Sequence, residues 1–236
     1  MSRSRRRVRA SWLGSVPYRQ AWDLQAELVA ALGAGGGQDS LLLLEHPHVF
    51  TLGKAASASD LLWGEDERRL RRVEVVWSDR GGEATYHGPG QLVGYPVVDL
   101  DHLGLTIPRY IELLERSLID YLASLDVAAV PGAPGLTGVW RDGEKLAAIG
   151  IKLNRPVVSH GFALNLTTDL GYFDGIVPCG HAELRPTSVE AVTDRRIRTE
   201  PAARAYADQF GQTFGVEIEW RPAAELLTAG AGGARG

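Results

Sequence analysis

The sequence predicts an α+β domain whose sheet is mixed and largely antiparallel, packed with helices. Helical and strand-like segments intermingle here without regular βαβ alternation. Neighbouring strands are joined by short turns, as in "LTGVWRDGEKLAAIGIKL", where Asp142-Gly143 supplies hairpin-turn residues. The length, 236 residues, is enough to bury a substantial core in one large domain.

The elements follow in order. "PYRQAWDLQAELVAAL" places Tyr18, Ala21, Trp22, Gln25, Leu28, Val29 and Leu32 at helical spacing, with Pro17 suited to a first turn and "GAGGGQDS" to end it. Leu41–Leu44 and Val49–Leu52 read as strands around the turn "EHPH". Val73, Val75 and Trp77 alternate in a strand that delivers the chain into a glycine-rich loop, and Leu92–Leu100 is the strand leaving it. "TIPRYIELLERSLIDYLASL" is a strongly periodic helix with Thr106 at its N-cap position. After the hairpin, "VVSHGFALNL" is a further strand. "PAARAYADQFGQTF" is a helix with Tyr206, Phe210 and Phe214 on one face, and "VEIEW" a closing strand. Residues 1–11 read as a solvated, flexible basic arm, with an organelle presequence as the alternative, 12–222 as one domain, and 223–236 as a fraying Ala/Gly-rich tail.

Composition narrows the function. A formal charge of −4 argues against general nucleic-acid binding, which needs Lys and Arg to neutralise phosphates. The single cysteine excludes an intramolecular disulfide and any multi-cysteine zinc site, and fits a reducing, cytoplasmic setting. No apolar run approaches the roughly 20 residues of a membrane span. The arginine-rich start lacks the apolar core of a secretory signal.

Cys179, in "GIVPCGH", sits in a turn between Pro178 and Gly180. An isolated cysteine is ordinarily a small buried hydrophobe; a turn can instead present the thiol to a pocket. As a nucleophile it needs a cation or base to favour thiolate, and Lys145, Lys152, His87, His160 and His181 are the candidates. A lysine just after a turn is usually exposed. Yet Ala147-Ala148-Ile149-Gly150 lacks polar alternation, so that strand is covered on both faces or lines a slot for something greasy. "SDRGGEATYHGPG" matches neither the P-loop nor the dinucleotide fingerprint. Its backbone N–H groups, with Arg80 and His87, can hold an anion or a polarised carbonyl, or the glycines can serve only a turn. Arg68, Arg69, Arg71 and Arg72 form either a solvated face paired with neighbouring acids or a docking patch for an acidic protein.

Taken together, "RGGEATYHGPGQLVGYP", "GEKLAAIGIKL", "HGFALNL" and "FDGIVPCG", with "LGSVPYRQAWDLQ" and "LLLLEHPHVFTLG", resemble the lipoyl(octanoyl) transferase family. His48 stands where that family's pattern more usually has proline. The resemblance implies a fold akin to biotin and lipoate protein ligase catalytic domains. It implies Cys179 as acyl-thioester nucleophile and Lys145 as the partner that lowers its pKa and shuttles protons. It implies substrate contacts from Arg80, Gly81, Gly82, Glu83, Ala84, Thr85, Tyr86 and His87, from Ala148, Ile149 and Gly150, and from Gly161, Phe162 and Ala163. The donor it implies is octanoyl on the phosphopantetheine arm of acyl carrier protein. The acceptors are lysines of lipoyl domains in 2-oxoacid dehydrogenase complexes and of the glycine cleavage H protein. A thioester is already activated, so neither ATP nor metal is expected. An ATP-dependent ligase, a non-catalytic lipoyl-domain binder and a cysteine hydrolase are the alternatives.

Overall fold

A computed structural model describes residues 6–177 and 185–225. The chain runs through strand β1 (Arg7–Ser15), helix α1 (Tyr18–Gly33), β2 (Ser40–Glu45), β3 (Val49–Leu52), a 3₁₀ turn (Ala58–Asp60), α2 (Glu65–Leu70), β4 (Glu74–Trp77) and β5 (Ala84–His87). It continues with β6 (Gln91–Asp99), α3 (Leu100–Leu103), α4 (Ile107–Ala123), β7 (Val130–Pro131), β8 (Gly138–Arg141), β9 (Glu144–Asn154) and β10 (Val157–Asn165). A 3₁₀ segment (Leu170–Gly175), α5 (Val189–Thr193), α6 (Thr199–Phe214) and β11 (Glu217–Trp220) complete it.

Eight strands form the main sheet, in the order β11-β1-β2-β6-β10-β9-β8-β7. β1 lies parallel to β11 and β2, and the remaining neighbours are antiparallel. A smaller sheet, β4-β3-β5, is separate from it. The predicted mixed, largely antiparallel α+β architecture is what the chain adopts.

The leucine run of β2 shows why the sheet is covered on both faces. Leu41 and Leu43 join the core built with α4 and α6, whereas Leu42 and Leu44 pack with Ala21 and Leu24 of α1. Strand alternation sends successive side chains to opposite faces, so an unbroken apolar run is the signature of a strand buried twice. Each such leucine contributes roughly 1.5–3 kcal/mol by leaving water.

Two sequence expectations are corrected. The basic arm is not a free tail from 1 to 11: β1 starts at Arg7 and is an interior strand of the main sheet, with Val8 and Ala10 fully buried. "RVRA" alternates charged and apolar residues at strand period, so the arginines concealed a half-apolar strand. The glycine-rich stretch is likewise not all loop, because Ala84–His87 pairs antiparallel with β3. The arginine cluster takes the solvated form: Arg69 bonds Glu65 at 2.9 Å, Arg71 bonds Glu67 at 2.5 Å, and Arg71 also lies over the Trp63 ring. Among the described residues, no helix is long and apolar enough to cross a membrane.

Val8→Asp is expected to lower unfolding stability by about 3 kcal/mol or more, because a carboxylate there is buried without a partner. Urea denaturation checks this. An unchanged midpoint would return residues 1–11 to a free arm.

Candidate functional site

A cleft of about 300 Å³ opens where the glycine-rich loop and β5 meet β9 and β10. β8 pairs with β9 only as far as Ala148, so the rest of β9 lacks a strand partner on that side. The loop takes that place, with the Gly81 N–H donating to the Ile151 carbonyl at 2.9 Å. Gly150 makes the approach feasible: a Cβ there would stand 3.0 Å from the Gly81 carbonyl oxygen. Gly161 serves the opposite strand, where a Cβ would meet the Gly94 carbonyl oxygen at 2.3 Å.

Arg80 holds the loop in this position and is only 8% exposed. Its guanidinium donates to the Thr51 carbonyl (2.7 Å) and hydroxyl (2.9 Å), and to the carbonyls of Glu83 (2.8 Å) and Gly81 (3.0 Å). These bonds replace water around a buried cation. They also tie the loop to β3. The side chain that the sequence offers to a substrate anion thus also braces the loop.

His87 continues the same network. Gln91 donates through Nε2 to the Tyr86 carbonyl and to Asn165 Oδ1, which leaves its Oε1 to accept from His87 Nδ1 at 2.8 Å. His87 Nε2 is then an acceptor, facing the Thr51 hydroxyl at 3.4 Å. Burial holds its pKa well below the usual histidine value, and the nearby His46 and Arg80 depress it further. His87 is a neutral ring. Asn165 in turn donates to the Thr187 carbonyl, and Thr187 N–H donates to the Lys145 carbonyl at 2.9 Å. A line of hydrogen bonds thus runs from Arg80 to the backbone of Lys145.

Lys145 lines the cleft near the start of β9, its Nζ 4.7 Å from the centroid of the Trp140 ring. Its N–H donates to the Arg185 carbonyl at 2.9 Å, and it bridges Pro186. On the other side, Val177 N–H donates to the Asp60 carbonyl at 2.8 Å. Cys179, Gly180 and His181 lie outside the described residues; the chain on either side of them is fastened to Asp60 and to Lys145.

The cleft gathers most of the residues that the sequence singled out. Arg80 to Thr85, His87, Lys145, Ala148 to Gly150 and Gly161 to Ala163 all line it. Tyr86 does not. Alternation on β5 turns it to the other face, where its hydroxyl meets His48 Nδ1 at 2.8 Å and its ring stacks on Tyr172. His48 also stacks on Tyr172, at 4.2 Å, and so belongs to the packing beneath the small sheet.

Lys152 and His160 do not join Lys145 but meet at Asp79. Lys152 Nζ is 2.5 Å from one carboxylate oxygen, and His160 Nε2 donates to the other at 2.9 Å. Burial by itself would raise the Asp79 carboxyl; the hydrogen bonds and charges of Lys152 and His160 outweigh it and hold the group below its usual range. Burial lowers the His160 pKa, with Asp79 opposing. Tyr18 and Tyr95 also line the cleft, and their hydroxyls bond Ser78 at 2.9 Å and His46 Nε2 at 2.7 Å. Sequence reading missed both tyrosines, Asp79 and Asn165. Asp79 next to Arg80 was the one signal to hand, a charge pair inside a glycine-rich loop. Among the described residues, no group of three or more His, Cys, Asp or Glu is placed to hold a metal ion.

Residues 17–211 match the family model of the lipoyl protein ligase A/B catalytic domain. The chain is 42% identical to an octanoyltransferase of Solibacter usitatus over 92% of its own length and 96% of the relative's. It is 46% identical to an octanoyltransferase of Rubrobacter xylanophilus, covering 86% and 91% of the two chains. In fold it is similar to a lipoate-protein ligase A crystallised with ATP, with TM-score 0.76 and 18% identity over 95% and 92% of the chains. A lipoate protein ligase of Thermoplasma acidophilum with bound lipoic acid gives TM-score 0.74 and 17% identity over 95% and 93%.

The site carries its own pH signature. Burial depresses the His46 pKa from 6.5 to about 4, partly offset by its bond to the Val16 carbonyl. The unfolded chain takes up this proton first on acidification. The stability contribution is therefore complete above pH 6.5 and falls by about 3 kcal/mol as pH drops towards 4. Denaturant midpoints across that range should fall less steeply for His46→Gln than for wild type. Equal slopes would contradict the assignment.

Proposed function

Given that the chain belongs to the lipoyl protein ligase A/B catalytic family and, like its octanoyltransferase relatives, transfers octanoyl groups in lipoate biosynthesis, we propose a Cys179 thioester as the intermediate and Lys145 as its proton partner. The donor is octanoyl on the phosphopantetheine thiol of acyl carrier protein. The acceptors are lysine ε-amines of lipoyl domains, including those of 2-oxoacid dehydrogenase complexes and the glycine cleavage H protein, in the cytoplasm. The observation that carries the reading is the position of Lys145. It stands on the wall of an acyl-sized cleft, and its backbone is bonded to Arg185, where the chain returns from the segment that holds Cys179.

In the first half-reaction the Cys179 thiolate attacks the thioester carbonyl. The carbon–sulfur bond to pantetheine breaks, and the departing thiolate takes a proton from the Lys145 ammonium. In the second, the acceptor amine attacks the acyl-cysteine, its proton passes to neutral Lys145, and the Cys179 thiolate leaves as the amide forms. The starting thioester supplies the driving force, so the reaction draws on neither ATP nor a metal ion. Ala148, Ile149, Gly150 and Phe162 give the acyl chain an apolar bed, worth about 0.8 kcal/mol per buried methylene.

Incubation with octanoyl carrier protein and no nucleotide should add one octanoyl mass to Cys179, removable by neutral hydroxylamine. Acylation of a lipoyl domain only with ATP and free octanoate would instead assign a ligase. Lys145→Ala should slow both half-reactions by roughly 10²–10⁴-fold. Unchanged single-turnover rates would remove Lys145 from proton transfer.

A further inference from the structure

Building on that functional reading, we infer that His160 sets the length of the acyl chain: its ring closes the far end of the slot, and the methyl terminus of an eight-carbon chain stops against it.

Strand register fixes the two ends. β9 and β10 run antiparallel, with Ala148 opposite Ala163, Gly150 opposite Gly161 and Ile151 opposite His160. Lys145 therefore marks one end of a corridor floored by small residues, and His160 the other. From Lys145 to Ile151 the strand advances roughly 20 Å. A lysine side chain and an extended octanoyl chain laid end to end span on the order of 16 Å by ordinary single-bond lengths. The roughly 4 Å that remains is one van der Waals separation, the contact distance between the terminal methyl and a ring atom at the level of Ile151.

The His160 ring reaches that position by an unusual route. Strand alternation groups His160 with Val158, Phe162 and Leu164, whose side chains enter the core beneath α4 and α6. Its ring instead lies 6.3 Å from Trp22 and 6.1 Å from Tyr95, on the side covered by α1. The switch is made by φ of +57° at His160, a conformation that residues other than glycine rarely adopt. The displaced N–H is taken by Gln25 Oε1 at 2.7 Å. Strained backbone of this kind persists where the surroundings over-determine it.

Those surroundings are rigid. Asp79 grips His160 Nε2 from behind, Lys152 holds Asp79, and neither of the two lines the cleft. Tyr18 and Tyr95 complete the wall with their hydroxyls bonded elsewhere. The remaining nitrogen of the ring, His160 Nδ1, is buried with no partner among the described residues. A longer chain must displace a ring held by these bonds.

The test compares octanoyl, decanoyl and dodecanoyl carrier-protein thioesters on wild type, His160→Gly and His160→Asn. Glycine accepts the positive φ without strain, and asparagine tolerates it, which guards against simple misfolding. His160→Gly should raise the decanoyl-to-octanoyl ratio of kcat/KM by at least about tenfold, the scale on which a methylene-sized pocket discriminates. His160→Asn should raise it less. A ratio unchanged in both variants, with wild type transferring octanoyl, would overturn the length assignment. Failure of wild type to take octanoyl from carrier protein would instead remove the functional reading beneath it.

Discussion

The docking of one glycine-rich loop against one unpaired strand edge is the constraint on which the site depends. β9 leaves its neighbour after Ala148, and a bare strand edge in that position would offer its carbonyls to water or to another chain. The loop from Arg80 to Glu83 covers it, held by the guanidinium of Arg80 and by the Gly81–Ile151 hydrogen bond. The same contact makes the cleft. Because the loop is joined to the sheet at a few backbone points and not as a full strand, a gap remains between them. That gap is bounded in part by small residues, Ala148, Gly150, Gly161 and Ala163.

The polar groups around the gap divide the work. Arg80, His87, Gln91 and Asn165 bond one another or the backbone, so they are buried without remaining unsatisfied and give the cleft a fixed shape. Tyr18, Tyr95 and His160 line the space, and their polar atoms bond Ser78, His46 and Asp79. An apolar ligand thus meets carbon, while the polar atoms behind it set the positions of the rings. At the other end Lys145 is anchored between Arg185 and Thr187.

Much of this was legible in the residues. The unbroken leucines of β2 announced a strand covered on both faces, and Asp142-Gly143 announced the hairpin that delivers Lys145. The small residues at Ala148, Gly150, Gly161 and Ala163 pointed to something that lies close to the backbone, and they share one cleft. β1 was hidden because its apolar positions alternate with arginines, so charge outweighed periodicity. β5 was hidden because glycines on either side of it read as turn. The turn of His160 to the opposite face was beyond any pattern argument. It follows from a single backbone angle, and that angle is set by Asp79 and Gln25, both distant in sequence. For the same reason the bracing role of Arg80, bonded to carbonyls of its own loop and of Thr51, could not be read from the residues.

A crystal structure of the octanoyl-enzyme would test the central claim most directly. The predicted density starts at a thioester beside Lys145 Nζ, follows the corridor between Ala148 and Ala163, and ends in contact with the His160 ring. Density for the acyl chain outside this cleft, or running away from His160 along another wall, would contradict the account.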